Sequence, residues 1–142
     1  MKTISISTHL ELKTFLPDFY TELAYDGSPD VEDYVPKGIW FNLMEGECFA
    51  GFINLEPLNN VMWSTHVFIY EAFRSKGSYH WGSLVAAYMR EHCGARKFLA
   101  ITPYEAAKRY AEKVGFTNVG VLSSSIRKNG KLLNQYMLEM SV

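Results

Sequence analysis

The chain has 142 residues, 48% of them apolar and 15% aromatic, with a formal net charge of −1 and a pI near 6.4. This is the size and composition of about one globular domain, and it excludes a disordered chain and a nucleic-acid binder held by a basic surface. No apolar stretch approaches the roughly 18 residues of a membrane span, so neither a nucleic acid nor a membrane is an expected partner. The isolated Cys48 and Cys93, with no signal peptide, predict a reduced, cytoplasmic protein.

Thr3 to Ser7 alternates as a short strand, and Thr8 is placed to cap a helix whose apolar positions are Leu10, Leu12, Phe15 and Leu16. Pro17 interrupts or restarts that helix, and Phe19 to Ala24 again has helical spacing. After the Asp26 to Asp30 turn cluster, an acidic loop runs to Gly38. Ile39 to Met44 and Cys48 to Leu55 read as strands joined at Glu45-Gly46-Glu47, and Val61 to Tyr70 as a third strand of a meander.

At Gly77 the periodicity changes. Trp81, Leu84, Val85, Tyr88 and His92 form the stripe of an amphipathic helix ending near Gly94. Lys97 to Ile101 is a short buried strand. Thr102-Pro103-Tyr104-Glu105 fits a capping box, and Ala107, Tyr110, Ala111 and Val114 give the next helix its apolar stripe before Gly115. Two strands, Thr117 to Arg127 and Lys131 to Met140, flank Lys128-Asn129-Gly130, where Asn-Gly supplies the positive φ angles of a tight hairpin. The order predicts an α+β fold, in a single domain over residues 1–142.

The stretch from Ile69 to Ser78 carries the chemistry. An apolar strand ends in Arg74-x-x-Gly77 and a helix opens directly after it. The first N–H groups of a helix have no intrahelical acceptor and carry the positive end of its dipole, so this junction can hold a phosphate, with Arg74 and Lys76 adding charge. No pair of His or Cys residues has convincing metal-ligand spacing, and no metal is expected.

Residues Gly38 to Met140 resemble the GNAT acyltransferase superfamily. The family's fourth strand ends in a pattern like Val-x-Pro-x-Tyr-Arg-x-x-Gly-x-Gly, which Ile69, Phe73, Arg74 and Gly77 match, with Glu71 at the proline position and Tyr79 at the final glycine. A second family pattern, Asn-x-x-Ala-x-x-x-Tyr-x-x-x-Gly-Phe, is met by Ala107, Gly115 and Phe116, with Tyr104 and Ala111 at the asparagine and tyrosine positions. The resemblance implies a mixed, mostly antiparallel sheet of about six or seven strands with about four helices, around a strand-helix-strand-helix core.

It also implies acetyl-CoA as cosubstrate and an amine as acceptor. The coenzyme would lie between the fourth and fifth strands, held by Phe68, Ile69, Tyr70, Arg74, Ser75, Lys76, Gly77, Ser78 and Tyr79, with backbone N–H groups around Phe68 to Tyr70 polarising the thioester. Glu71, His66 or His80 would accept the amine proton, and Tyr104 or Tyr110 would protonate the departing thiolate. The degenerate motifs also resemble GNAT-like proteins carried by tailed bacteriophages. On that alternative the chain is a catalytically inactive structural, assembly or host-interaction module, found in the virion rather than free in host cytoplasm. A homodimer and a phage protein partner both stay open.

Overall fold

The computed structural model describes residues 1–74 and 77–142. Strand β1 (Lys2–Ile6) is followed by helix α1 (His9–Phe15), whose start is the one the sequence predicts. Glu11 N–H donates to Thr8 Oγ1 at 3.1 Å and Thr8 N–H to Glu11 Oε1 at 2.9 Å, a reciprocal capping box. The other Glu11 oxygen accepts from the amide of buried Asn42 at 2.8 Å, so the cap also ties the helix to the sheet. Pro17 ends α1 in a single 3₁₀ turn, Leu16–Asp18, and a one-turn helix α2 (Tyr20–Leu23) follows.

Strands β2 (Ile39–Glu45), β3 (Cys48–Pro57) and β4 (Met62–Ile69) form the expected meander. The first hairpin is tighter than predicted: Glu45 already pairs with Cys48, and Gly46 turns the chain at φ +59°. Helix α3 (Tyr79–Cys93) carries the chain to β5 (Lys97–Thr102), helix α4 (Glu105–Val114) returns it, and β6 (Thr117–Lys128) and β7 (Lys131–Ser141) close the fold. Asn129 and Gly130 both take positive φ in the last hairpin, as Asn-Gly predicts.

The expected capping box at Thr102 does not form. Thr102 still pairs in β5, its Oγ1 accepts from Tyr104 N–H at 3.1 Å, and α4 starts at Glu105 with Tyr104 in the cap position. The hydroxyl closes a local turn on the strand side, and Glu105 accepts instead from the Tyr136 hydroxyl at 2.6 Å.

The seven strands make one sheet in the order β1-β2-β3-β4-β5-β7-β6, in which the β4–β5 pair is parallel and the others antiparallel. Apolar side chains alternate between its faces. Trp40, Phe52 and Phe68 face one way and pack under Leu16 and Phe19; Phe41, Ile53, Ile69 and Phe98 face the other way and pack under Trp81, Val85 and Met89 of α3. Met89, fully buried, belongs to the α3 stripe in place of His92, which is exposed and lies against Tyr88. Among the described residues no helix is long and apolar enough to cross a membrane.

Candidate active site

Strands β4 and β5 begin as partners and then part. Their parallel register runs only from Met62↔Lys97 to Ser64↔Leu99, with Thr65 Oγ1 reaching Leu99 O at 3.3 Å as the last link. Beyond it β4 stays paired to β3 as far as Gly51↔Ile69, while β5 stays paired to β7 as far as Thr102↔Tyr136. Each strand follows its other neighbour, and the sheet twist separates them. The result is an open edge on β4 from about Thr65 to Ile69.

The direction of that edge follows from one bond. Tyr70 N–H donates to Ala50 O of β3 at 2.9 Å. Backbone groups alternate sides along a strand, so the N–H groups of Phe68 and Tyr70 turn toward β3, and those of Val67 and Ile69 turn toward the gap. The expectation that Phe68 and Tyr70 would offer N–H groups to a thioester is therefore corrected. Of the three N–H groups from Phe68 to Tyr70, that of Ile69 alone faces the opening, and that of Val67 joins it.

A cavity of about 790 Å³ fills the gap. It passes through the sheet: on one side it is lined by Ser78 and Gly82 at the start of α3 and by Tyr110 and Lys113 of α4, and on the other by Thr21 and Glu22 of α2 and by Lys128. His66 and Phe68 lie on the α2 side of β4 between these two mouths. No protein-family model and no curated protein matches the sequence. Solved structures do match. The chain superposes on spermidine N-acetyltransferase from Vibrio cholerae, solved with CoA and spermine, with a TM-score of 0.80 at 12% identity, over 99% of this chain and 95% of that one. It superposes on ribosomal-protein-S5-alanine acetyltransferase from Vibrio fischeri with a TM-score of 0.77 at 9% identity, over 99% and 92%. A GNAT-family acetyltransferase from Bacillus anthracis matches with a TM-score of 0.65 at 13% identity, over 72% of this chain and 65% of that one.

The chain has the GNAT fold.

Within that fold the sequence-predicted residues fall into three groups. The first surrounds the junction of β4 and α3. Arg74 Nε donates to Ile69 O at 2.7 Å and its Nη2 pairs with Glu22 Oε1 at 3.3 Å, which lays the guanidinium against the open end of β4. Gly77 takes φ +87° to turn the chain into α3, and Ser78 is its N-cap. Tyr79, at the position where the family has glycine, is 45% exposed and does not line the cavity. Ser75 and Lys76 lie outside the described residues. Tyr70 points away from the gap: its hydroxyl donates to Asp18, and burial, then that bond, push its pKa up to about 12.

The second group is the pair of candidate acids. Tyr110 Oη accepts from Gly82 N–H at 3.2 Å and donates to Ser78 O at 2.9 Å. A regular α-helix would join those two groups directly, residue i to i−4, so the hydroxyl bridges the first turn of α3. Burial pushes the phenol well above the ordinary tyrosine value, the bond from Gly82 opposing it. The approach of α4 that makes this bridge requires glycine at 82, where a Cβ would stand 2.5 Å from Val114 Cγ2. Tyr104 is differently engaged. Its hydroxyl accepts from Lys128 Nζ at 2.5 Å, which leaves its own proton uncommitted.

The third group is the candidate bases. Glu71 lies on an exposed 3₁₀ turn and does not line the cavity, so the base expected there is not brought to the site. His80, exposed on the first turn of α3, is not brought there either. His66 is, and its Nδ1 is buried with no hydrogen-bond partner among the described residues. Burial holds its pKa below the ordinary histidine value, with Glu56 the weaker opposing influence.

Sequence reading missed Val67, Gly82, Glu22 and Lys128. Of these only Gly82 carried a signal, a glycine inside a helical stripe. In the sequence Lys128 is only one residue of a hairpin turn, yet its Nζ donates to Thr21 O at 3.0 Å and Glu22 O at 3.3 Å, tying the last hairpin to α2 across the mouth of the cavity.

Proposed function

We propose that the chain is an acyl-CoA-dependent N-acyltransferase that moves an acetyl group from acetyl-CoA to an amine. The observation that carries this reading is the cavity between β4 and β5, which passes through the sheet and has an unpaired strand edge at its centre. Two substrates can enter it from opposite faces and meet at that edge. Three cationic side chains, Arg74 beside the start of α3 and Arg109 and Lys113 of α4, line it. This local field on a chain of net charge −1 suits a polyphosphorylated substrate.

On this reading the diphosphate rests at the start of α3, around Gly77 and Ser78, where the helix dipole and backbone N–H groups favour an anion. Arg74 adds its charge there. The amide groups of the pantetheine arm satisfy the exposed β4 edge, whose groups would otherwise stay unpaired. His66, kept neutral by its surroundings, takes a proton from the acceptor amine. The amine nitrogen bonds to the thioester carbon, and Ile69 N–H stabilises the oxyanion. Collapse breaks the carbon–sulfur bond. Tyr104 gives its proton to the thiolate, and the products are the N-acetylated amine and free CoA.

The role of His66 has a pH signature. Its depressed pKa means that the neutral base is already formed below the ordinary histidine value of 6.5. The wild-type rate should therefore rise with pH along a limb centred below 6.5, and His66→Gln should remove that limb and lower kcat/KM by roughly 100-fold. An unchanged rate in the variant would exclude His66 as base. The reading as a whole is tested by thiol release from acetyl-CoA across a panel of primary amines, with mass spectrometry of the products. Amine-dependent release with acetylated product is expected; acetyl-CoA that stays intact with every amine would favour a module without catalysis.

A further inference from the structure

We propose that the acceptor is an amine that also carries an anionic group, such as a carboxylate or phosphonate, bound so that its charge faces Lys128. This rests on the acyl-transfer reading and specifies its second substrate. The mouth on the α2 side is built from Thr21 and Glu22, from Tyr104, and from Lys128, Asn129 and Gln135 of the last hairpin. Its charges are unequally matched. The Glu22 carboxylate is paired with Arg74 at 3.3 Å, so those two neutralise each other. Lys128 Nζ meets only uncharged oxygens, those of Thr21, Glu22 and Tyr104 named above, and among the described residues no carboxylate lies within ion-pair distance of it.

The other acids of these elements are already engaged. Asp26 accepts from Asn129 N–H and Gly130 N–H, both at 2.8 Å, and Asp18 accepts from Tyr70; neither lines the cavity. A polyamine entering here would set further ammonium groups beside Lys128 and find no unpaired carboxylate among the lining residues, an arrangement that like charges make unfavourable. A molecule with an amine at one end and an anion at the other is accommodated. The amine reaches inward to His66 and the β4 edge, the anion stays at Lys128, and the side-chain amides of Asn129 and Gln135 lie at the same mouth as uncharged donors.

The test compares matched acceptors with the intact protein: amino acids of graded length, the same molecules as neutral amides, and spermidine. An acid is expected to be acetylated with kcat/KM about tenfold or more above that of its own amide, and spermidine to be the poorest acceptor. Lys128→Gln should bring the acid-to-amide ratio close to one, Lys128→Arg should preserve it, and the affinity for acetyl-CoA should stay at its wild-type value in Lys128→Gln. A wild-type preference for spermidine or for the amides, or no transfer to any acid while acetyl-CoA binds, would overturn the inference and leave the coenzyme site standing. A Lys128→Gln variant that keeps the ratio but loses acetyl-CoA affinity would overturn it too, since the charge would then serve the coenzyme. Absence of acetyl-CoA binding in the wild type would remove the parent reading itself.

Discussion

Gly51→Ala is expected to destabilise the fold by about 4 kcal/mol or more. Gly51 pairs with Ile69 at the end of the β3–β4 ladder, at φ +155°, and a Cβ built there would lie 1.9 Å from Phe68 O and 2.8 Å from Ile69 Cα. Both contacts are backbone, so no side chain can move aside. The strands must separate where β3 holds β4 in the orientation that turns Val67 and Ile69 toward the cavity. Against a typical total of about 5–15 kcal/mol, such a loss leaves much of the chain unfolded. Urea unfolding measures it directly, with Gly120→Ala as the control, since nothing lies within 4 Å of a Cβ at that position. A Gly51→Ala midpoint equal to that of Gly120→Ala would contradict the described β3–β4 approach.

Tyr110→Phe separates two roles for one hydroxyl. If Tyr110 were the acid for the thiolate, its loss would lower kcat by roughly 100-fold or more. The bridge from Gly82 N–H to Ser78 O assigns it instead to positioning the start of α3. On this account the variant leaves the buried Gly82 N–H without its partner and Ser78 O with only Trp81 N–H at 3.3 Å, which costs stability by about 1–3 kcal/mol. The first turn of α3 loosens, the dissociation constant for acetyl-CoA rises about tenfold, and kcat stays within about threefold of wild type. Stopped-flow kinetics and calorimetry on the same preparation read both quantities. A collapse of kcat at unchanged affinity would restore Tyr110 as the acid and remove Tyr104 from that role.

What the sequence made legible was local. Thr8 with Glu11, Asn129-Gly130, and the apolar stripe from Trp81 to Tyr88 are each decided by residues a few positions apart, and the fold class followed from their order. The Arg74-x-x-Gly77 junction was visible for the same reason. The cap at Thr102 was misplaced because β5 pairs with β7 one residue further than its own residues indicate, a tertiary effect that outweighs the local pattern. The direction of the β4 edge was out of reach, since a shift of one residue in register exchanges Phe68 for Ile69 at the opening and nothing short of the pairing with β3 decides it. Lys128 was illegible for a related reason. Its partners Thr21, Glu22 and Tyr104 come from two distant segments, and only the closed sheet brings them together.

The central claim is that acetyl-CoA lies along the open edge of β4, and amide hydrogen exchange resolved to single residues tests it most directly. Titration with acetyl-CoA should protect the amides of Val67 and Ile69, which face the cavity, and leave those of Phe68 and Tyr70 unchanged, because these are already bonded into the β3–β4 ladder. Protection confined to other segments, or no change at Val67 and Ile69 when acetyl-CoA is bound, would contradict the account.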